Sequence, residues 1–114
     1  MDKDTLVKRI RQIFEEIDQE GTVIESVHLI PPQLLFKAKS FVVVVGSPSL
    51  KSLSVMERIK RMRELVTPKL DSETRKHINM VWSFGSSTEA MNRIEQEIGD
   101  ETYLITPVIE PAHA

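Results

Sequence analysis

Phe41-Val42-Val43-Val44-Val45 is the stretch on which the fold turns. Four consecutive valines would each lose χ1 freedom in a helix, and they suit a pleated strand covered on both sides, placed centrally in a sheet. Gly46-Ser47-Pro48-Ser49 breaks this strand. Upstream, Thr22 to Ile30 is rich in β-branched residues and predicts a second strand. That strand ends at Pro31-Pro32, whose rings remove two backbone donors. Gln33 to Lys39 is then a connector. Before the first strand, Leu6, Ile10, Ile13, Phe14 and Ile17 recur at helical spacing within residues 4 to 20, with Asp4 placed to cap the helix and Gly21 to stop it.

Downstream of the valine run, Val55, Ile59, Met62 and Val66 repeat at steps of four, three and four and predict the apolar stripe of a second helix, ended by Pro68. Asp71 can cap a short third helix reaching about Lys76. From His77 to Phe84 the pattern alternates. Ile78, Met80, Trp82 and Phe84 are expected on one side of a strand, and His77, Asn79, Val81 and Ser83 on the other. Ser86 with Glu89 forms a capping box that opens a fourth helix, with the stripe Ala90, Met91, Ile94 and Ile98 and Gly99 as its stop. A last strand, Thr102 to Ile109, carries Pro107 and belongs at a sheet edge. The expected architecture is α+β, one domain over residues 1–114. It is a two-layer sandwich of about four strands with helices on one face, in the order αββααβ followed by αβ, leaving the other face open.

Composition narrows the function classes. The 114 residues are 40% hydrophobic and 28% charged with a net charge of -2, so whole-chain charge selects no partner. With no cysteine, thiolate nucleophiles and Cys-ligated metal or iron-sulfur sites cannot be built from this chain alone. The charged start Met1-Asp2-Lys3-Asp4 does not resemble a signal peptide, and no apolar run approaches a membrane span, so a cytoplasmic location without membrane partners is expected. The Walker pattern, the dinucleotide fingerprint, the Gly-x-Ser-x-Gly elbow and His-Glu-x-x-His are missing. The sequence therefore points to no cofactor, no metal and no catalytic residue.

Charge is nonetheless uneven along the chain. Residues 51 to 76 hold eight basic residues against four acidic ones, while both ends are acidic. A basic patch on the second helix, with Arg58, Lys60 and Arg61 at its centre and His77 nearby, can attract an anionic protein or nucleic acid. The plainer reading is a solvated helix face on which Glu57 pairs with Arg61 and Glu64 with Lys60. His28, His77, Asn79 and Ser83 fall on strands and could line a ligand pocket on the open face, whereas His113 is in the tail. Gly85-Ser86-Ser87 presents backbone N–H groups at a helix start and could hold an anion, although capping accounts for the same residues.

Lys39-Ser40-Phe41-Val42-Val43-Val44-Val45-Gly46-Ser47 resembles the valine-rich strand of the BolA-like branch of type II KH-like folds, and the αββααβ order through residue 84 is similar. Arg58-Ile59-Lys60 falls where that family has Arg-His-Arg, and His77-Ile78-Asn79-Met80 resembles its strand that opens on a histidine. The resemblance implies a small cytoplasmic regulatory protein that contacts nucleic acid, or that pairs with a monothiol glutaredoxin around an iron-sulfur cluster with His77 as a ligand. The chain departs from the pattern at Ile59, which stands in place of the helix histidine. It departs again at Leu70-Asp71-Ser72-Glu73, where a KH clamp would need Gly-x-x-Gly, and in the helix and strand added after residue 84. The expectation is a non-enzymatic interaction domain for a protein or nucleic-acid partner, with a small enzyme or ligand-binding domain as the alternative and homo-oligomerisation compatible with either.

Overall fold

The chain was analysed as a computed structural model that describes residues 1–35 and 38–111. His113 and two residues of the expected connector, Phe36 and Lys37, lie outside the described residues. The elements run α1 (Lys3–Gln19), β1 (Ser26–Ile30), β2 (Phe41–Gly46), α2 (Val55–Val66), α3 (Ser72–Lys76), β3 (Ile78–Phe84), α4 (Ser87–Ile98) and β4 (Thr106–Ile109). The fold is α+β, and its four-stranded mixed sheet has the order β3-β2-β1-β4. β1 runs antiparallel to β2 and β4. β2 and β3 are parallel, which requires a long crossover, supplied here by α2 and α3.

The valine run is the interior strand that its composition predicts. Val42 to Val45 are each 0–1% exposed, and burying each contributes roughly 1.5–3 kcal/mol. Their alternation divides the interior in two. Val43 and Val45, with Val27 and Leu29 of β1, pack against Leu6, Ile10 and Phe14 of α1 and Met62 and Val66 of α2. Val42 and Val44, with Ile30, pack against Ala90, Ile94 and Ile98 of α4. The expectation of helices on one face therefore holds for α1 and α2 and is corrected for α4, which covers the other face of β2.

The cause is local. After β3 the chain turns at Gly85, and Ser86 crosses directly over Gly46, where a Cβ would lie 2.7 Å from the Ser86 carbonyl oxygen. Only glycine at 46 allows that crossing.

Caps follow the sequence with small shifts. Asp2, rather than Asp4, caps α1 by accepting from the Thr5 N–H at 2.8 Å. Asp71 accepts from Thr74 at 2.6 Å and Ser86 from Glu89 at 3.0 Å, as expected. Only half of the capping box expected at Ser86 and Glu89 forms, because the Glu89 carboxylate accepts the Gly85 N–H instead, whereas Ser54 and Glu57 form a complete one at the start of α2.

β3 differs from its expected alternation because its register against β2 slips by one residue, from Phe41 opposite Ile78 to Val42 opposite Met80. The extra residue, Asn79, shifts the pleat. Ile78 and Val81 thus face the α1–α2 side, whereas Trp82 and Phe84 face α4. β4 is four residues long and carries Pro107 at the opposite sheet edge.

Candidate partner-binding site

Two borders of β3 bear on ligand binding: the carboxyl ends of the parallel strands, and the free edge of β3. At the carboxyl ends, the chain leaves β2 toward α2 on one face and β3 toward α4 on the other, an arrangement that opens a crevice in many α/β sheets. Here the crevice is filled by the protein itself. A Glu25 carboxylate oxygen accepts the Ser87 N–H at 2.7 Å, and a Glu89 oxygen accepts the Gly85 N–H at 3.0 Å. Hydrogen bonds from Ser87, its hydroxyl first and its backbone N–H second, hold the Glu25 carboxyl below its usual range. The N–H groups at Gly85 and Ser87, weighed in the sequence as an anion site, thus meet carboxylates of the same molecule.

Arg58 completes the seal. Its Nε donates to the carbonyls of Leu50 at 2.9 Å and Leu53 at 3.1 Å, one terminal nitrogen donates to Lys51 at 3.1 Å, and the other reaches Glu89 at 3.2 Å. Every nitrogen of its guanidinium is engaged, so Arg58 ties the start of α2 to the start of α4.

Among the described residues no strand pairs with the outer edge of β3. A groove of 790 Å³ runs along it between α2 and the α4 side of the sheet. Its floor is apolar, built from Val55, Ile59 and Met62 of α2 and from Met80, Trp82 and Phe84 of β3. Val55 is 68% exposed and Met80 48% exposed. Arg63, Arg75 and Arg93 also line the groove, and no aspartate or glutamate does among the described residues. Arg93 lies 5.9 Å from the centre of the Trp82 ring, within cation–π range, and also pairs with Glu97 at 3.1 Å. The indole N–H of Trp82 donates to the Met80 sulfur at 2.9 Å.

The residues singled out in the sequence are dispersed. Lys60 and Arg61 are exposed on α2, and among the described residues neither forms its expected pair with Glu64 or Glu57. The Glu57 carboxylate instead accepts the Ser54 N–H. His77 caps the end of α3, half-buried, with Nε2 3.7 Å from Glu73. Asn79 is exposed and Ser83 half-buried; both line the groove, and the Ser83 hydroxyl is buried with no partner among the described residues.

His28 is elsewhere. It is 7% exposed on β1, opposite Val44 and Pro107, and its side chain shares the α4 side of the sheet with Val44. Ser83 sits opposite Val45 and faces the other way. The four residues expected around one pocket therefore do not converge. Burial lowers the pKa of His28 despite the opposing charge of Glu110, and its Nδ1 has no partner among the described residues.

Sequence reasoning missed the groove because it read Val55 and Ile59 as buried stripe. Only Met62 and Val66 of α2 are buried. The available signal was Met56, 74% exposed beside Val55, which widens the apolar surface beyond one core-facing stripe. Arg63, Arg75 and Arg93 carry no motif and became a set only through the fold.

No family model matches the chain, and no curated protein or solved structure matches it either. Among the described residues no three His, Asp or Glu side chains converge to hold a metal ion, and no helix is long and apolar enough to cross a membrane.

Proposed function

We propose that the chain is a non-enzymatic binding module whose partner docks along the free edge of β3 and the overhanging face of α2. One observation carries this reading: the groove joins an apolar floor to three arginines without a lining carboxylate. Exposed apolar surface beside cationic side chains suits a partner that is both apolar and acidic. In this reading the basic second helix contributes Arg63 at the groove, with Lys60 and Arg61 raising the local potential, while Arg58 serves the fold.

Nucleic acid is the less suitable partner class. Phosphates need cations along the whole track, and this floor offers Val55, Ile59 and Met80 instead. A second reading, a ligand-binding domain, is favoured by the groove's volume, which lies within the range of small-molecule sites. Asn79 and Ser83 would then be its polar contacts.

Trp82 is the only tryptophan and lines the groove, so its fluorescence reports occupancy directly. Titrations with an acidic apolar peptide, a generic single-stranded oligonucleotide and a medium-chain fatty acid separate the three classes. The expected result is a saturable Trp82 response to the peptide with a shallow dependence on salt. A response to the oligonucleotide alone, falling steeply with salt, would transfer the role to nucleic acid. A response to the fatty acid alone would favour the ligand-binding domain.

A further inference from the structure

The groove follows an unpaired strand, and the direction of that strand's backbone is fixed by its neighbour. The Phe84 carbonyl accepts from the Ser47 N–H at 2.9 Å, so Phe84 turns its backbone toward β2. Backbone direction alternates along a strand, so Trp82 also turns inward, and Val81 and Ser83 present their N–H and C=O groups outward. β2 is the only sheet neighbour of β3 among the described residues. β3 has seven residues with no lysine, proline or charged side chain, so the register slip at Asn79 is the one edge-blunting device within it, and the stretch from Val81 to Ser83 carries none.

From these observations we infer that the occupant of the groove is an extended acidic segment of a partner protein, which joins the sheet as a fifth strand on β3. This rests on reading the groove as a binding site. Val81 and Ser83 supply main-chain pairing, the apolar residues on either side take the segment's alternating side chains, and Arg63, Arg75 and Arg93 attract its carboxylates.

Charge decides against a second copy of this chain as the occupant. Two-fold pairing of β3 with β3 would set α2 beside α2 on one face, bringing together the Lys60, Arg61 and Arg63 of both copies. The same cations favour an acidic segment.

The test uses the full chain and three nine-residue peptides: one with an apolar centre and Glu at both ends, the same peptide N-methylated at alternate central positions, and the same peptide with Lys for Glu. Trp82 fluorescence reads binding, and amide hydrogen exchange reads Val81 and Ser83. The acidic peptide is expected to bind and to slow exchange at both amides. N-methylation at the positions facing β3, or Lys for Glu, is expected to weaken binding about tenfold.

Equal binding of the N-methylated peptide, or binding without protection of Val81 and Ser83, would overturn strand addition and leave the binding module standing. Equal binding of the Lys peptide would overturn the acidic character of the segment. If no peptide moves Trp82, the groove is not a protein-binding site and both readings fall.

Discussion

Strand β3 meets solvent along two borders, its carboxyl end and its free edge, and the two are finished in opposite ways. At the carboxyl end, where parallel sheets commonly receive ligands, Glu25, Glu89 and Arg58 satisfy the exposed N–H and C=O groups from within. Along the edge, where sheets commonly carry lysine, proline or a covering loop, the backbone beside Val81 and Ser83 faces an apolar groove. The far edge of the sheet shows that this chain has such devices. β4 is short, carries Pro107, and has its Val108 carbonyl bonded by Arg11 at 3.2 Å. The lesson is that a place where ligands often bind can be used up in holding the fold together, while the proposed binding surface lies a strand's width away.

The largest test of this contrast is Arg58→Ala. Losing a mostly buried guanidinium that serves three carbonyls and a carboxylate is expected to cost about 3 kcal/mol in denaturant unfolding. If stability is unchanged, the carboxyl end is not held by this residue.

Next comes His28, a buried imidazole at neither border. The fold lowers its pKa by burial, so the unfolded chain takes up a proton near the ordinary value of 6.5 that the folded chain refuses. Stability should be insensitive to this group above that pH and fall as pH drops through it toward the lowered folded value. Thermal melts of His28→Leu across pH 5 to 8 should lose this acid-side decline, and the variant should be about 2 kcal/mol more stable at pH 5, because the unpartnered Nδ1 is gone.

Glu25→Ala sharpens the contrast from the sealed side. Removing the carboxylate at the start of α4 should cost about 1 kcal/mol. It should also expose the Ser87 N–H, so that added sulfate raises the melting temperature of the variant more than that of the parent chain. Glu25 has a lowered pKa, so the parent's stability should also decline below about pH 4.5 as this carboxylate is protonated, and the variant should lack that phase.

Met80→Lys is the smallest change in stability, within about 0.5 kcal/mol, because the side chain is half exposed. It places a lysine on the bare edge, and loss of the peptide-induced Trp82 response with an unaltered melt is the expected outcome. An unaltered response would show that the edge does not form the binding surface.

Much of the fold was legible because its signals are local. The valine run, the caps at Asp71 and Ser86, the stripes of α1 and α4 and the edge proline at 107 each depend on residues within a few positions of one another. The side on which α4 packs was less legible. The uninterrupted valines already asked for cover on both faces, yet three similar helical stripes suggested a single layer. The site was hardest to read. Arg58 read as a candidate partner contact or a solvated helix cation, because the carbonyls of Leu50, Lys51 and Leu53 reach it only after the loop before α2 folds back.

By itself the sequence determined the number, kind and order of elements, the central place of β2, and the lack of cysteine chemistry, because periodicity and composition act through neighbours along the chain. Tertiary structure alone decided that Ser86 crosses over Gly46, that Glu25 and Arg58 are spent at the strand ends, and that three scattered arginines and the exposed apolar start of α2 surround the edge of β3. Those outcomes depend on which distant segments pack together, and the energies that choose among packings are sums over contacts that no local pattern records.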